Sequence, residues 1–216
     1  MTFQSSRCAF LVLLLAALCG GMVSGSGSAA ARTARILAFG DSLTAGFGLP
    51  RDQSFPAQLE RQLRADGIDV RVVDSGQSGD TTAGGLARLD WSLADKPDLV
   101  ILELGANDML RGIDPATVRA NLDATIEKIK ASGAKVLLAG MRATPNWGEK
   151  YQKDFDRIYP ELARTHGVAL YPFFLDGVAM DPELNQPDGL HPNARGVAMI
   201  VERLAPRVAD LLGGRS

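Results

Sequence analysis

Ile36-Leu37-Ala38-Phe39-Gly40-Asp41-Ser42-Leu43-Thr44-Ala45-Gly46-Phe47-Gly48 decides how the rest of this chain is read. Four apolar residues, Ile36 to Phe39, form a run short enough for a buried strand, and the glycine-rich segment after it is a turn. Ser42 therefore stands at the exit of a first strand. In an open α/β sheet that exit borders the crevice at the carboxyl ends of the strands, where ligands bind. A serine there also has a plainer use, capping the following helix. The remainder of the chain decides between the two.

Outward from that stretch, strand and helix patterns alternate. Phe55 to Ala65 carries Phe55, Leu59 and Leu63 at helical spacing, and Val70 to Val73 is a second strand leading into Asp74-Ser75-Gly76-Gln77-Ser78-Gly79-Asp80. Thr81 to Ala94 reads as a helix with Leu86, Leu89 and Leu93 inward. Leu99 to Leu104 is a third strand, apolar on both faces except at Glu103, as suits a central parallel strand. Asp114-Pro115 signals a helix start, with Asp as cap and Pro in the first turn, and that helix runs to about Ser132 before Gly133. Lys135 to Ala139 is a fourth strand, Lys150 to His166 one further helix, Val168 to Tyr171 a fifth strand, and Pro192 opens a last helix to about Leu212. Five such units predict a three-layer α/β/α sandwich on a parallel sheet, in the common doubly wound order 2-1-3-4-5.

Residues 1–31 are read separately. Arg7 and the amino terminus precede an apolar segment, Ala9 to Leu18, too short to span a bilayer and followed by small residues, the pattern of a secretory signal peptide. Cys8 and Cys19, the only cysteines of the chain, both lie there, so the exported domain, residues 32–216, is expected to carry no disulfide. A lipid anchor on Cys19 is the alternative, and the bulky Leu18 before it argues against that use. The chain is 46% hydrophobic and 22% charged with a net charge of -2, ordinary for one globular domain and without a basic field for nucleic acid. The exported domain is expected to be a monomer with no stable membrane insertion.

In the predicted strand order, the loops after strands one, two and three converge, bringing Ser42, Gly79 and the segment Gly105-Ala106-Asn107-Asp108 to one crevice. Acyl transfer needs a nucleophile there and donors aimed at the developing oxyanion. The candidate donors are the backbone N–H groups of Ser42 and Gly79 and the side-chain amide of Asn107. A serine also needs a base, and the chain holds two histidines. His166 closes a predicted helix and reads as structural. His191, in Asp188-Gly189-Leu190-His191-Pro192-Asn193, has a carboxylate three residues upstream that can hold its Nδ1 and leave Nε2 for the serine. Strand five lies about 14 Å from strand one at roughly 4.8 Å per strand, which the connection from Pro172 to Asp188 can cross.

Gly-Asp-Ser-Leu, Ser-Gly-Asp-Thr, Gly-Ala-Asn-Asp and Asp-Gly-Leu-His-Pro-Asn occur in the order and spacing of the GDSL-type, or SGNH, hydrolases, and the chain resembles that family over nearly all of residues 32–216. Residues 85–89, 103–112, 158–163 and 172–175 look like its bacterial exported thioesterase, lysophospholipase and arylesterase branch, from which Gln77 departs. The resemblance implies a flavodoxin-like sheet, Ser42 as nucleophile, Asp188 and His191 as its partners, and Ser42, Gly79 and Asn107 as the oxyanion hole. It implies hydrolysis of a small ester or thioester, a lysophospholipid among them, without a cofactor. Two other readings are a carbohydrate acetylesterase and a non-catalytic binding domain of the same fold.

Three further expectations concern the surroundings. Met109, Leu110 and Ile113, with Met141 to Trp147, are candidates to bind the acyl or aryl group. Asp41, Asp80 and Asp108 are read as orienting their loops through backbone N–H groups. With one histidine committed and no cysteine outside residues 1–31, no metal site is expected.

Overall fold

The computed structural model describes residues 32–213. The signal-peptide and lipid-anchor readings, with Cys8 and Cys19, fall outside the described residues. The five strands are β1 (Ala34–Gly40), β2 (Val70–Gly76), β3 (Leu99–Glu103), β4 (Lys135–Ala139) and β5 (Ala169–Tyr171). They pair in parallel in the order β2-β1-β3-β4-β5, as expected. β3, at the centre, is buried along its whole length, so both its faces select apolar side chains.

Helix α2 (Phe55–Ala65) packs with α8 (Ala194–Leu212), while α3 (Thr82–Leu93) and α7 (Ile158–His166) flank α5 (Pro115–Ala131). These two groups cover the sheet. Phe55 of α2 meets Phe174 edge-on at 5.1 Å, and Leu59 and Leu63 continue the same buried stripe. Asp114 caps α5 by accepting the Ala116 N–H, with Pro115 in the first turn.

Register places the site. Gly40 pairs with Gly76 on one side and Glu103 on the other, so three strands end at one level. A short helix α1 (Ser42–Ala45) follows β1, and α4 (Ala106–Leu110) follows β3. The turn into α4 passes over Tyr159, whose hydroxyl donates to the Leu104 carbonyl at 2.8 Å. Gly105 takes φ +118° there, and a Cβ would stand 2.1 Å from the Tyr159 hydroxyl, so only glycine makes the turn that presents Asn107.

Two elements differ from their sequence reading. The helix predicted over 150–166 is two, α6 (Glu149–Asp156) and α7, broken at Arg157. Pro160 has no N–H to give the Asp156 carbonyl and its ring clashes with that carbonyl, so the first helix stops there. In α8, by contrast, Pro206 lies inside the helix. The last helix starts at Ala194 instead of Pro192, because Asn193 caps it by accepting the N–H groups of Arg195 and Gly196.

Candidate active site

Asp41, not Ser42, caps α1: its Oδ1 accepts the Leu43 N–H at 3.0 Å. Ser42 is thereby left in the first helical position with its hydroxyl free of capping. His191 Nε2 lies 3.0 Å from Ser42 Oγ, and His191 Nδ1 lies 2.7 Å from Asp188 Oδ2. The other Asp188 oxygen, Oδ1, accepts the N–H groups of Leu190 and His191 at 2.9 and 3.0 Å. Those two backbone donors, His191 first, then the imidazole, draw the Asp188 carboxyl down to about 2. The half-exposed ring of Phe47 leans on the imidazole at 4.7 Å between centroids.

The loop holding His191 is tied to the loop holding Ser42 by Gln186. Its side-chain amide donates to the carbonyls of Phe47 at 2.7 Å and Pro192 at 3.0 Å, while its backbone N–H donates to the His191 carbonyl. Nothing in the sequence singled out Gln186, since a polar residue in an irregular connection carries no periodic signal.

On the opposite side of Ser42, the Asn107 amide donates to Asp41 Oδ2 at 3.0 Å, which fixes the plane of the amide. Gly79 takes φ +84°, a conformation that requires glycine, and a Cβ there would meet only Arg111 at 3.9 Å. Conformation, then, demands glycine here, and no side chain of the described residues crowds the position. No acceptor among the described residues takes the N–H of Ser42 or Gly79, so both remain available as donors.

The three aspartates do not behave alike. Asp41 holds the Leu43 N–H as expected, and Asp108 accepts both the N–H and the hydroxyl of Thr82 at 2.8 and 2.6 Å, tying α3 to α4. Asp80 instead pairs with the Arg88 guanidinium at 2.6 Å, because Arg88 of α3 reaches back under the turn. His166 is structural, bonded through Nε2 to Asp123 at 2.7 Å. Among the described residues no three His, Cys, Asp or Glu side chains are grouped to hold a metal ion.

Glu103, the polar exception in β3, lies wholly buried beneath this site. Its Oε2 accepts the Asp41 N–H and the Thr44 hydroxyl, while Oε1 has no partner among the described residues. Burial, then the Asp41 charge, pushes its carboxyl well above the ordinary range, and burial raises Asp41 from 3.8 to about 6. The folded chain thus holds protons here that the unfolded chain releases near pH 4. Stability from this source is full below about pH 4 and is lost as pH rises through about 6. Glu103→Gln is expected to lessen the fall in Tm between pH 5 and pH 8, because it removes a carboxyl whose burial holds its proton in the folded chain. Equal falls in the two proteins, followed by thermal melts, would contradict the reading that Glu103 holds a proton in the folded chain.

An apolar groove of about 320 Å³ is lined by Ala106 and Leu190, the chain neighbours of Asn107 and His191, among others. Met109, Leu110, Met141, Pro145, Phe173 and Leu190 are among its lining residues. Ile113 stands outside it: the side chain packs against the core and its carbonyl accepts the Tyr151 hydroxyl, so the turn after α4 carries it away from the opening. Trp147 also falls outside the lining and clamps α4 by donating to the Met109 carbonyl at 2.8 Å. The wall from the segment after β5 had no signal in the sequence beyond its apolar composition.

A carboxylate, an imidazole and a hydroxyl in one hydrogen-bonded row, beside donors suited to an oxyanion, are the working parts of a serine hydrolase. Residues 38–199 match the model of the GDSL-like lipase/acylhydrolase family. Over 200 residues the chain is 44% identical to esterase TesA of Pseudomonas aeruginosa, across 92% of this chain and 98% of that protein. It is 36% identical to thioesterase 1/protease 1/lysophospholipase L1 of Escherichia coli over 184 residues, 85% of this chain and 87% of that one. The crystal structure of AlinE4, an SGNH-hydrolase family esterase, superposes with a TM-score of 0.70 at 50% identity, covering 83% of this chain and 97% of that chain. The chain belongs to the GDSL-like lipase/acylhydrolase family, and it is a hydrolase of ester bonds.

Proposed function

We infer that the chain, exported under the direction of residues 1–31, hydrolyses carboxylic esters and thioesters of medium to long acyl chains through an acyl-enzyme on Ser42. The observation that carries this is the row Asp188–His191–Ser42, with links of 2.7 and 3.0 Å, together with an apolar groove lined by Ala106, Gly189 and Leu190, which adjoin Asn107 and the row in the chain. Ser42 Oγ attacks the carbonyl carbon and passes its proton to His191 Nε2, while Asp188 holds the imidazolium that results. The carbonyl oxygen becomes an oxyanion and meets the N–H groups of Ser42 and Gly79 and the free hydrogen of the Asn107 amide. The intermediate collapses, and the alcohol or thiol leaves with the proton from His191. Water, deprotonated by the same imidazole, then cleaves the acyl-serine and releases the carboxylic acid.

The groove supports acyl chains over acetyl. Each methylene it removes from water contributes about 0.8 kcal/mol, close to fourfold in kcat/KM, until the groove is filled. All the residues involved come from one chain, which supports a monomer as the active unit. A lysophospholipid fits the same description, with its single acyl chain in the groove and its headgroup in water. The test is a panel of p-nitrophenyl esters from acetate to palmitate, with palmitoyl-CoA and lysophosphatidylcholine alongside and acetylated xylan as the contrasting substrate. A kcat/KM that climbs with chain length supports the reading. Activity confined to acetate and acetylated sugar would favour the carbohydrate acetylesterase instead.

A further inference from the structure

Arg88 projects from the middle of α3, its side chain only 24% exposed. The guanidinium spends its donors on three separate pieces of chain. Nε donates to Asp80 Oδ2 at 2.6 Å, one Nη to Ser75 Oγ at 3.0 Å, and the other to the Gly40 carbonyl at 2.9 Å. Its Cζ also lies 4.1 Å from the centroid of the Phe39 ring. Gly40 ends β1 two residues before Ser42, Ser75 lies near the end of β2, and Asp80 directly follows Gly79.

The turn that carries Gly79 has little else to hold it. Gln77, Ser78 and Gly79 are exposed. Inside the turn a single backbone bond, Asp80 N–H to the Gln77 carbonyl at 3.0 Å, closes it, and the Gln77 N–H reaches the Gly40 carbonyl at 3.0 Å. On the outer side Arg111 donates to the Gly79 carbonyl at 2.9 Å from an exposed position. A segment with few buried apolar contacts opens easily unless polar ties at its flanks prevent it. A catalytic N–H, by contrast, acts only if it is already aimed when charge develops.

We propose that Arg88 is a positioning residue of the oxyanion hole, locking the turn that bears Gly79 to the ends of β1 and β2 so that the Gly79 N–H is held toward Ser42. The inference rests on the reading of Gly79 and Asn107 as oxyanion donors given above. Planar, five-donor geometry is what the position uses, because three acceptors in different directions share one side chain. Lysine, a point charge on a flexible stem, cannot serve all three.

Arg88→Lys and Arg88→Ala, each compared with Asn107→Ala, test this on a p-nitrophenyl ester. Turnover is counted per active site, with sites titrated by a fluorophosphonate that labels the serine. Arg88→Lys is expected to lower kcat per titrated site by about tenfold to a hundredfold, with KM changed less than about threefold, since a misaimed donor is lost mainly in the transition state. Guanidinium ion at tens of millimolar should restore part of the kcat of Arg88→Ala and nothing in Asn107→Ala. A merely structural role predicts fewer titratable sites at unchanged turnover per site, and that result overturns the proposal. So does an Arg88→Lys protein within about threefold of the parent while Asn107→Ala has lost about a hundredfold, in which case the oxyanion reading survives alone. Should Asn107→Ala also keep full turnover, the oxyanion reading falls and this proposal with it. If Arg88→Ala does not fold, Arg88→Lys decides.

Discussion

Ser42→Ala is expected to lower kcat on any substrate ester by about a million-fold, leaving the residual rate that binding and the oxyanion donors provide without a nucleophile. The protein should nonetheless fold. Among the described residues the Ser42 side chain makes one hydrogen bond, to His191, and the cap of α1 is made by Asp41. Alanine is a better helix former than serine, and the side chain it replaces is partly exposed, so no buried partner is orphaned. Far-UV circular dichroism and Tm close to the parent, with esterase activity at background, are the expected pair of results. Full activity would remove Ser42 from the chemistry. A folded and inactive protein would exclude the binding-only reading, because the fold would persist without the reaction.

The second large effect is at Asp188. Asp188→Asn is expected to cost about 10⁴-fold in kcat near neutral pH. The substituted side chain keeps an oxygen for the N–H groups of Leu190 and His191, so the turn survives. It then presents an NH₂ to His191 Nδ1, which must accept, and the ring proton moves to Nε2, where it blocks uptake of the serine proton. Histidine must be neutral to act as base, so activity of the parent falls as pH drops. Asp188 contributes nothing to that fall until the pH nears 2, because its carboxyl is held down at about 2 by backbone donors. Between pH 4 and 9, therefore, Asp188 should add no ionisation of its own to the pH profile of kcat/KM. An ionisation between pH 4 and 5, absent in Asp188→Asn, would contradict the assignment.

These two residues illustrate how legible the site was. The motif around Asp188 and His191 is local: three residues of spacing let the carboxylate cap its own turn and reach the ring, and that geometry is settled within the hexapeptide. Their meeting with Ser42 is not local. It depends on a connection that crosses the top of the sheet with no regular structure of its own, and on Gln186, which ties that connection to Phe47. Likewise Asp80 looked like its neighbours Asp41 and Asp108 by position, but Arg88, eight residues further on, claims it. Spacing on α3 could have suggested that pairing only if the turn's direction were known.

What the chain alone determined is whatever depends on near neighbours. The apolar runs set the strands, their even alternation with helical stripes made the sheet parallel, and Asp114-Pro115 and Gly133 bounded α5, because caps and periodicity act within one or two turns of backbone. The order of the four motifs likewise follows from the chain. Only tertiary structure decided that Gly40, Gly76 and Glu103 end at one level, that the 150–166 helix breaks before Pro160, and that the segment after β5 walls the groove on which Ile113 turns its back. Those outcomes belong to register and to packing between residues distant in the chain, where the free energy of one side chain's placement depends on partners that no local pattern names.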